Sequence, residues 1–473
     1  MSPAGGWPQL RAAVANGADA VYFGLSTFSA RARATNFDEG AELDEVVAFL
    51  RRHEVKGYAA INTLAFDNEL DEVERLLRRC SEAGVDAVIV QDLGVMALAK
   101  RCAPGLPVHA STQQSISNAG GAEFARERGA TRVVVGRELS IDEIAAVTAG
   151  TSAEVECFVH GALCVSWSGQ CLSSEAWGGR SANRGQCAQA CRLPYEVVVD
   201  GEARPGQNYA LSPADLCGLD DVPALVAAGI SCLKIEGRLK DERYVAATTR
   251  AYRDAVDAAW AAANGRDEPA AATVARGDLA QVFARGQDET VDGLSKGFLR
   301  GPRHQILVVG NAPRHRGVLA GIVVDVSPPS KRKGLELVVD AVDGVSLKPG
   351  DGVVVDCGPD RAADEVGGAA YAVTERADGR IVVTFGRGVE GKPWLAKGAR
   401  LWRTADAAVD AKLRGLAKGK APPRVDVSCR VAVADGALSI ELSDGVHAAT
   451  GAAAVERATG APLDAAAVAK AVG

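Results

Sequence analysis

The sequence predicts a mixed α/β chain: a (β/α)8-type, TIM-like barrel, then a small all-β barrel, then a partial α+β segment. Three observations carry this. Short β-branched runs alternate with amphipathic stretches through the first half. Eight such runs fall within about 240 residues, as a parallel barrel requires. From about Arg303 the helical stretches give way to strands and turns.

The strand candidates are Ala20–Leu25, Gly57–Asn62, Ala87–Gln91, Pro107–Ser111, Arg132–Gly136, Glu154–His160, Asn208–Ser212 and Cys232–Gly237. Helical period occupies Leu43–His53, Leu70–Ala83 and Ile141–Ala149 between them. Gly84 and Gly129 stand where a helix would end before a strand. A doubly wound open sheet is the alternative, weakened because no G-x-G-x-x-G turn is present. The chain opens on a SPAG turn, which suggests a clipped first strand. Tyr244–Ala263 reads as a long alanine-rich helix closing a catalytic domain of residues 1–263, and residues 264–302 read as a linker and helical segment. GVLAGIVVDV, LELVVDA, LKPGDGVVVDC, GRIVVTFGRG and GARLWRT give the β-barrel of residues 303–405. Residues 422–473 offer strands at Val425–Val433 and Ala437–Leu442 and a helix that stops abruptly, as a truncation would.

At 473 residues and 47% hydrophobic, the chain can bury a large core, and no window has the apolar length of a membrane span. The start lacks a signal-peptide pattern, so the expected compartment is the cytoplasm, where clustered cysteines serve metals or catalysis rather than disulfides. The net charge of −7 excludes indiscriminate polyanion binding by the whole surface. No H-E-x-x-H, G-x-S-x-G or P-loop occurs, and nothing orders a Ser/His/Asp triad.

Cysteines are the strongest chemical signal. Cys164, Cys171, Cys187 and Cys191 are separated by six, fifteen and three intervening residues in a glycine-rich loop spanning 161–206, and Cys217 follows. Only Cys187/Cys191 resembles a zinc knuckle, whereas an iron–sulfur cluster tolerates irregular spacing. The loop has little apolar period with which to order itself, so a metal is expected to tie it over the barrel mouth. Cys80, Cys102, Cys357 and Cys429 sit in apolar segments and read as packing, as does Cys157; Cys232 shares parity with Lys234 and is open to either role.

In SCLKIEGRLK a strand puts Lys234, Glu236 and Arg238 on one face, a costly set unless it lines a site mouth. Asn62, Gln91, Asp92, His109, Ser111, Gln113, Arg137, Glu138 and His160 stand at other strand ends and describe a pocket by convergence. His160 lies four residues before Cys164 and would link that pocket to the loop. A basic stretch (Lys296, Arg300, Arg303, Arg314, Arg316, Lys331, Arg332 and Lys333, against Asp325) is a candidate polyanion footprint or an ordinary solvated surface.

The segments ECFVHGALCVSWSGQCLSS, NRGQCAQACR, SPADLC and LKIEGRLK resemble the collagenase-like peptidase family of unknown catalytic type, from Ser2 to about residue 320. The rest resembles the large branch that modifies ribosomal RNA. The resemblance implies an RNA hydroxylase acting at pyrimidine C5 of ribosomal or transfer RNA, a [4Fe-4S] cluster and dependence on prephenate. It implies RNA as partner, an electron donor, and neither DNA nor membrane. Cys164, Cys171, Cys187 and Cys217 match family cysteines, with Cys191 as the alternate. Lys234 and Arg238, with Asn62, His109 and Arg137 nearby, are the expected holders of a carboxylate-bearing cofactor. His160 or Glu236 is the expected general acid or base, with Lys234 and Arg238 also in the catalytic set. A peptidase, as the family label says, and a non-catalytic RNA-binding assembly factor with a structural metal are the alternatives.

Overall fold

The computed structural model describes the chain except residues 31–33, 205, 267–271, 289–290, 311–314, 330–333, 343, 357–364, 387–388, 390–394, 420–426, 435, 444, 446–447 and 455–473. The contacts divide it into two units, Met1–Ala421 and Pro422–Gly473.

The first unit is built on a ten-stranded, mostly parallel sheet. Seven parallel strands follow in sequence: β1 (Ser2–Ala4), β2 (Ala20–Gly24), β3 (Lys56–Ile61), β4 (Ala87–Val90), β5 (Val108–Ala110), β6 (Ala130–Val134) and β7 (Glu154–Gly161). A small hairpin, β8 (Val198–Val199) and β9 (Glu202–Ala203), stands apart. β10 (Asp215–Cys217) pairs antiparallel with β7, and β11 (Cys232–Ile235) pairs parallel with it. β12 (Leu294–Ser295) extends the sheet beside β10. The amino group of Met1 donates to Leu233 O at 2.8 Å, and Ile235 N donates to Met1 O at 3.1 Å. These bonds bring β11 back beside β1, so the core is barrel-like.

Two expectations change here. The SPA residues at the start are themselves a strand, β1, three residues long and fully buried. The expected strand Asn208–Ser212 is a turn, with Ser212 N bonded to Tyr209 O; the strand comes after Pro213, at Asp215–Cys217. The helices have the predicted character. Leu70–Ala83 buries Val73, Leu76, Leu77 and Cys80 at the i, i+3, i+4, i+7 spacing of one face and ends on Gly84 at φ 76°. Ile141–Ala149 opens with a capping box between Ser140 and Glu143. No helix among the described residues is long and apolar enough to cross a membrane.

A closed six-stranded antiparallel β-barrel comes next: β13 (Val318–Ser327), β14 (Glu336–Ala341), β15 (Gly352–Asp356), β16 (Val366–Glu375), β17 (Ile381–Phe385) and β18 (Arg400–Ala405), ordered β13-β14-β17-β16-β15-β18. Alternate residues such as Val353 and Val355, or Leu337 and Val339, fill its centre. The second unit contains a three-stranded antiparallel sheet, β19 (Ser428–Ala434), β20 (Ala437–Ser443) and β21 (Ala448–Ala454). Cys429, expected as packing, is exposed there, while Cys80, Cys102 and Cys157 are buried; Cys357 and the expected terminal helix lie outside the described residues.

Candidate active site

Alternation along β11 sorts its charged residues by depth. Lys234 lies in the barrel interior, 4% exposed, with its ammonium 2.9 Å from Glu156 Oε1 on β7. Arg132 on β6 reaches the same carboxylate at 3.3 Å and Glu154 at 2.6 Å. Burial pushes the Glu156 carboxyl upward, but the facing Lys234, with His109 and Arg132, holds it below the usual carboxylate range. The Lys234 ammonium lies 4.7 Å from the Tyr22 ring centroid and 5.2 Å from that of Phe158. His109 sits edge-on to Tyr58 in this layer, and burial brings its pKa down to about 4. Cys232 belongs here too: burial, then Glu156, pushes its thiol up to about 11. Lys234 and His109, expected at the mouth, are thus held one layer below it.

Two and four residues further along, Glu236 reaches the mouth, and Arg238 stands beneath its edge, itself only 5% exposed. Glu236 Oε2 accepts from Arg137 Nη2 at 3.0 Å, and the Arg137 guanidinium lies 3.8 Å over the Phe158 ring. Arg238 donates to Ser29 Oγ at 2.7 Å and stands 5.7 Å from the Tyr22 ring centroid. Gly24 makes room for this: a Cβ there would lie 2.3 Å from Asn36 Oδ1 and 2.6 Å from Ser29 Oγ. Asn62 Nδ2 donates to Gln113 Oε1 at 2.8 Å, Gln113 Nε2 to Gln91 Oε1 at 3.1 Å, and Gln91 Nε2 to Asn183 Oδ1 at 3.3 Å. This amide ladder crosses from β3 to the cysteine-rich loop.

His160 is not in the mouth. The β7–β11 register slips by one residue, so that Phe158 faces Lys234 but His160 faces Ile235. A bulge of this kind reverses the parity of the residues beyond it. His160 therefore turns to the helix Glu242–Ala263, where its ring lies 5.6 Å from Tyr252 and 5.9 Å from Tyr244. Burial takes its pKa down to about 3.

Polar latches hold the loop over the mouth. Glu138 Oε1 accepts from Ser168 N at 2.7 Å and Ser168 Oγ at 3.0 Å. Arg184 forks onto Glu69 at 2.6 and 2.7 Å, and Arg192 donates to Leu163 O, Ser212 Oγ and Pro213 O. Gly169, at φ 80°, comes so near Gln113 that a Cβ would lie 2.0 Å from its carbonyl oxygen. The expectation that a metal orders this loop overlooked these side chains, each of which reaches a partner distant in sequence. Asn183 and Ser29 carried no local signal.

Four thiols share the loop. Cys164 and Cys187 are exposed, and Cys171 and Cys191 partly so. Burial pushes the Cys191 thiol up; Arg192 opposes this, while Cys164, Cys187 and Cys171 are near enough to add to it. Gln189 adopts a left-handed φ of 57° and directs its N–H to Cys187 Sγ at 3.3 Å. Cys217, in contrast, is fully buried, with burial pushing its thiol up and Arg276, Lys296 and Tyr252 as its charged and hydroxyl neighbours. Among the described residues, no three Cys, His, Asp or Glu side chains converge closely enough to hold a metal as they stand. The donor set of four solvent-reachable thiols in a Gly/Ser/Gln loop fits a thiolate-ligated iron–sulfur group.

The basic stretch is neutralised at three of its four described cations; Arg303 is exposed with no ion pair among the described residues. Lys296 pairs with Asp220 and Asp221, Arg300 with Asp221, and Arg316 with Asp356 and Glu365. Arg314, Lys331, Arg332 and Lys333 lie outside the described residues.

Residues 5–308 match the model of Peptidase family U32. The chain is 38% identical over 336 residues to the 23S rRNA 5-hydroxycytidine C2501 synthase of Escherichia coli K12, covering 69% of this chain and 49% of that protein. It is 38% identical over 265 residues to tRNA hydroxylation protein P1 of Bacillus subtilis 168, covering 54% and 63%. It is 35% identical over 303 residues to a collagenase of Porphyromonas gingivalis W83, covering 60% and 71%. The chain thus spans about half of the first relative and just under two thirds of the second. With the barrel from β2 to β12, the mouth and the cysteine loop inside the matched residues, the chain belongs to peptidase family U32.

Proposed function

We propose that the chain is an iron–sulfur-dependent RNA-modifying enzyme that hydroxylates C5 of a pyrimidine in ribosomal or transfer RNA, with prephenate as a carboxylate-bearing co-reactant. The observation that carries this reading is a four-thiol loop latched across a polar, cation-bearing barrel mouth. Relatives named for hydroxylation of 23S rRNA and of tRNA support the reaction class.

Cys164, Cys171, Cys187 and Cys191 would hold the [4Fe-4S] cluster, Cys191 replacing the Cys217 expected from sequence because it neighbours the other three. Such a cluster supplies one-electron redox chemistry. At the mouth, Arg137 fixes the Glu236 carboxylate in place, and Glu236 serves as general acid or base. Arg238 and Arg137 are the anchors for a carboxylate. Asn62, Gln113 and Gln91 present alternating amide donors and acceptors, which suit the hydrogen-bonding edge of a pyrimidine. Lys234 acts from beneath, neutralising Glu156 and supporting the Tyr22 and Phe158 rings.

The relative named collagenase favours a peptidase as the second reading. Anaerobic purification and metal analysis separate the two. A brown protein with about four iron and four sulfide per chain, bleached by Cys191→Ser and unaffected by Cys217→Ser, is expected. A colourless protein carrying zinc alone would contradict the cluster. Retained iron in Cys191→Ser with loss in Cys217→Ser would restore the sequence-based ligand set.

A further inference from the structure

We propose that the solvent face of the cysteine-rich loop, with Phe66 at its edge, is a stacking platform for single-stranded RNA on either side of the nucleotide at the mouth. The inference rests on the RNA reading above and specifies which surface takes the flanking bases.

The latches Ser168–Glu138, Asn183–Gln91 and Arg184–Glu69 fix the loop over the ends of the barrel strands. Its outer side carries Trp167, 50% exposed, and Trp177, 61% exposed, with Phe66 beside it at 61%. These rings lie outside the barrel core, so hydrophobic burial does not account for them. The Trp177 ring lies 5.8 Å from that of Tyr195, and the Arg184 guanidinium lies 4.4 Å from the Phe66 centroid while bonded to Glu69. Arg–aromatic pairs of this kind offer planes on which a base stacks.

Charge agrees. On a chain of net −7, residues 161–195 hold Arg180, Arg184 and Arg192 against Glu175 alone; Arg184 is paired to Glu69 and Arg192 is bound to neutral oxygens of the fold, so Arg180 is the cation of this stretch open to a phosphate. Arg180 is exposed, with no side-chain partner among the described residues. The basic stretch that the sequence offered instead is paired to acids at Lys296, Arg300 and Arg316. A duplex would hide its base faces from these rings and its pyrimidine from the mouth, so the fitting partner is an unpaired segment such as a loop or bulge.

Trp260 provides an internal control. It is also exposed, with Arg266 at 4.6 Å, but it sits about 27 Å along the helix that starts at Glu242 beside the mouth.

The test is fluorescence anisotropy with the full chain, a labelled pyrimidine-rich single strand, and the same strand annealed to its complement at one fixed salt concentration. The single strand should bind more tightly than the duplex. Trp167→Ala/Trp177→Ala should weaken it roughly tenfold or more, Phe66→Ala less, and Trp260→Ala not at all. A double variant within about twofold of the parent, or a preference for duplex, overturns the platform. If the double variant also leaves RNA hydroxylation intact, the platform fails alone; if the parent binds neither RNA, the functional reading falls with it. Displacement of RNA by denatured gelatin, lost in the same double variant, would make the face a protein-docking surface and overturn the proposal.

Discussion

The same strand feeds two layers with opposite character. At Lys234 the barrel encloses a charge cluster paired within itself: ammonium beside Glu156, guanidinium on Glu156 and Glu154, rings nearby. At Glu236 and Arg238, one pleat and two pleats further, the charges meet Arg137 and Ser29 at the rim of the mouth. The lower layer is built to be stable and the upper to be used. Substitutions should therefore separate stability from activity by depth.

The largest effect is expected below. Lys234→Met leaves the buried Glu156 with Arg132, at 3.3 Å, as its remaining ion-pair partner and should cost about 3 kcal/mol in urea unfolding, while Lys234→Met/Glu156→Leu should recover part of it. A Lys234→Met protein of unchanged stability would contradict this division of roles by depth.

His109 gives the pH dependence. Its folded pKa of about 4 lies below the ordinary value, so the unfolded chain takes the proton first. Its contribution is present above pH ~6.5 and is lost as pH falls toward 4, by roughly 3 kcal/mol in all. His109→Asn should flatten that part of the stability profile.

In the upper layer, Glu236→Gln should lower the rate about 10²-fold or more with stability changed by less than about 1 kcal/mol. The smallest effect belongs to His160, which the parity change removes from chemistry. His160→Phe should alter activity by less than about twofold, since a similar ring fills the space beside Tyr252.

Much of this was legible in the sequence. The parity of Cys232, Lys234, Glu236 and Arg238 marked one face, and the polar strand ends marked Asn62, Gln91 and Gln113 as pocket residues, because period and position are local properties; their linkage into a ladder was not marked. The depth of each residue was not legible, since Lys234 and Glu236 share a face and only Glu156, seventy-eight residues away, distinguishes them. The bulge opposite Lys234/Ile235 has no local marker, so His160 was placed on the wrong side. SPA is too short to show alternation, and NYALS has strand composition but turn hydrogen bonds. The loop's order comes from Arg184, Arg192 and Ser168, whose partners Glu69, Ser212 and Glu138 no periodicity connects.

RNA hydroxylation at this mouth is the proposal on which the other expectations depend. Its most direct test is nucleoside mass spectrometry of ribosomal and transfer RNA from a strain lacking the gene, complemented with the parent chain or with Glu236→Gln. Loss of a 5-hydroxylated pyrimidine that the parent restores and Glu236→Gln does not is the predicted result. A modification profile unchanged by deletion would contradict it.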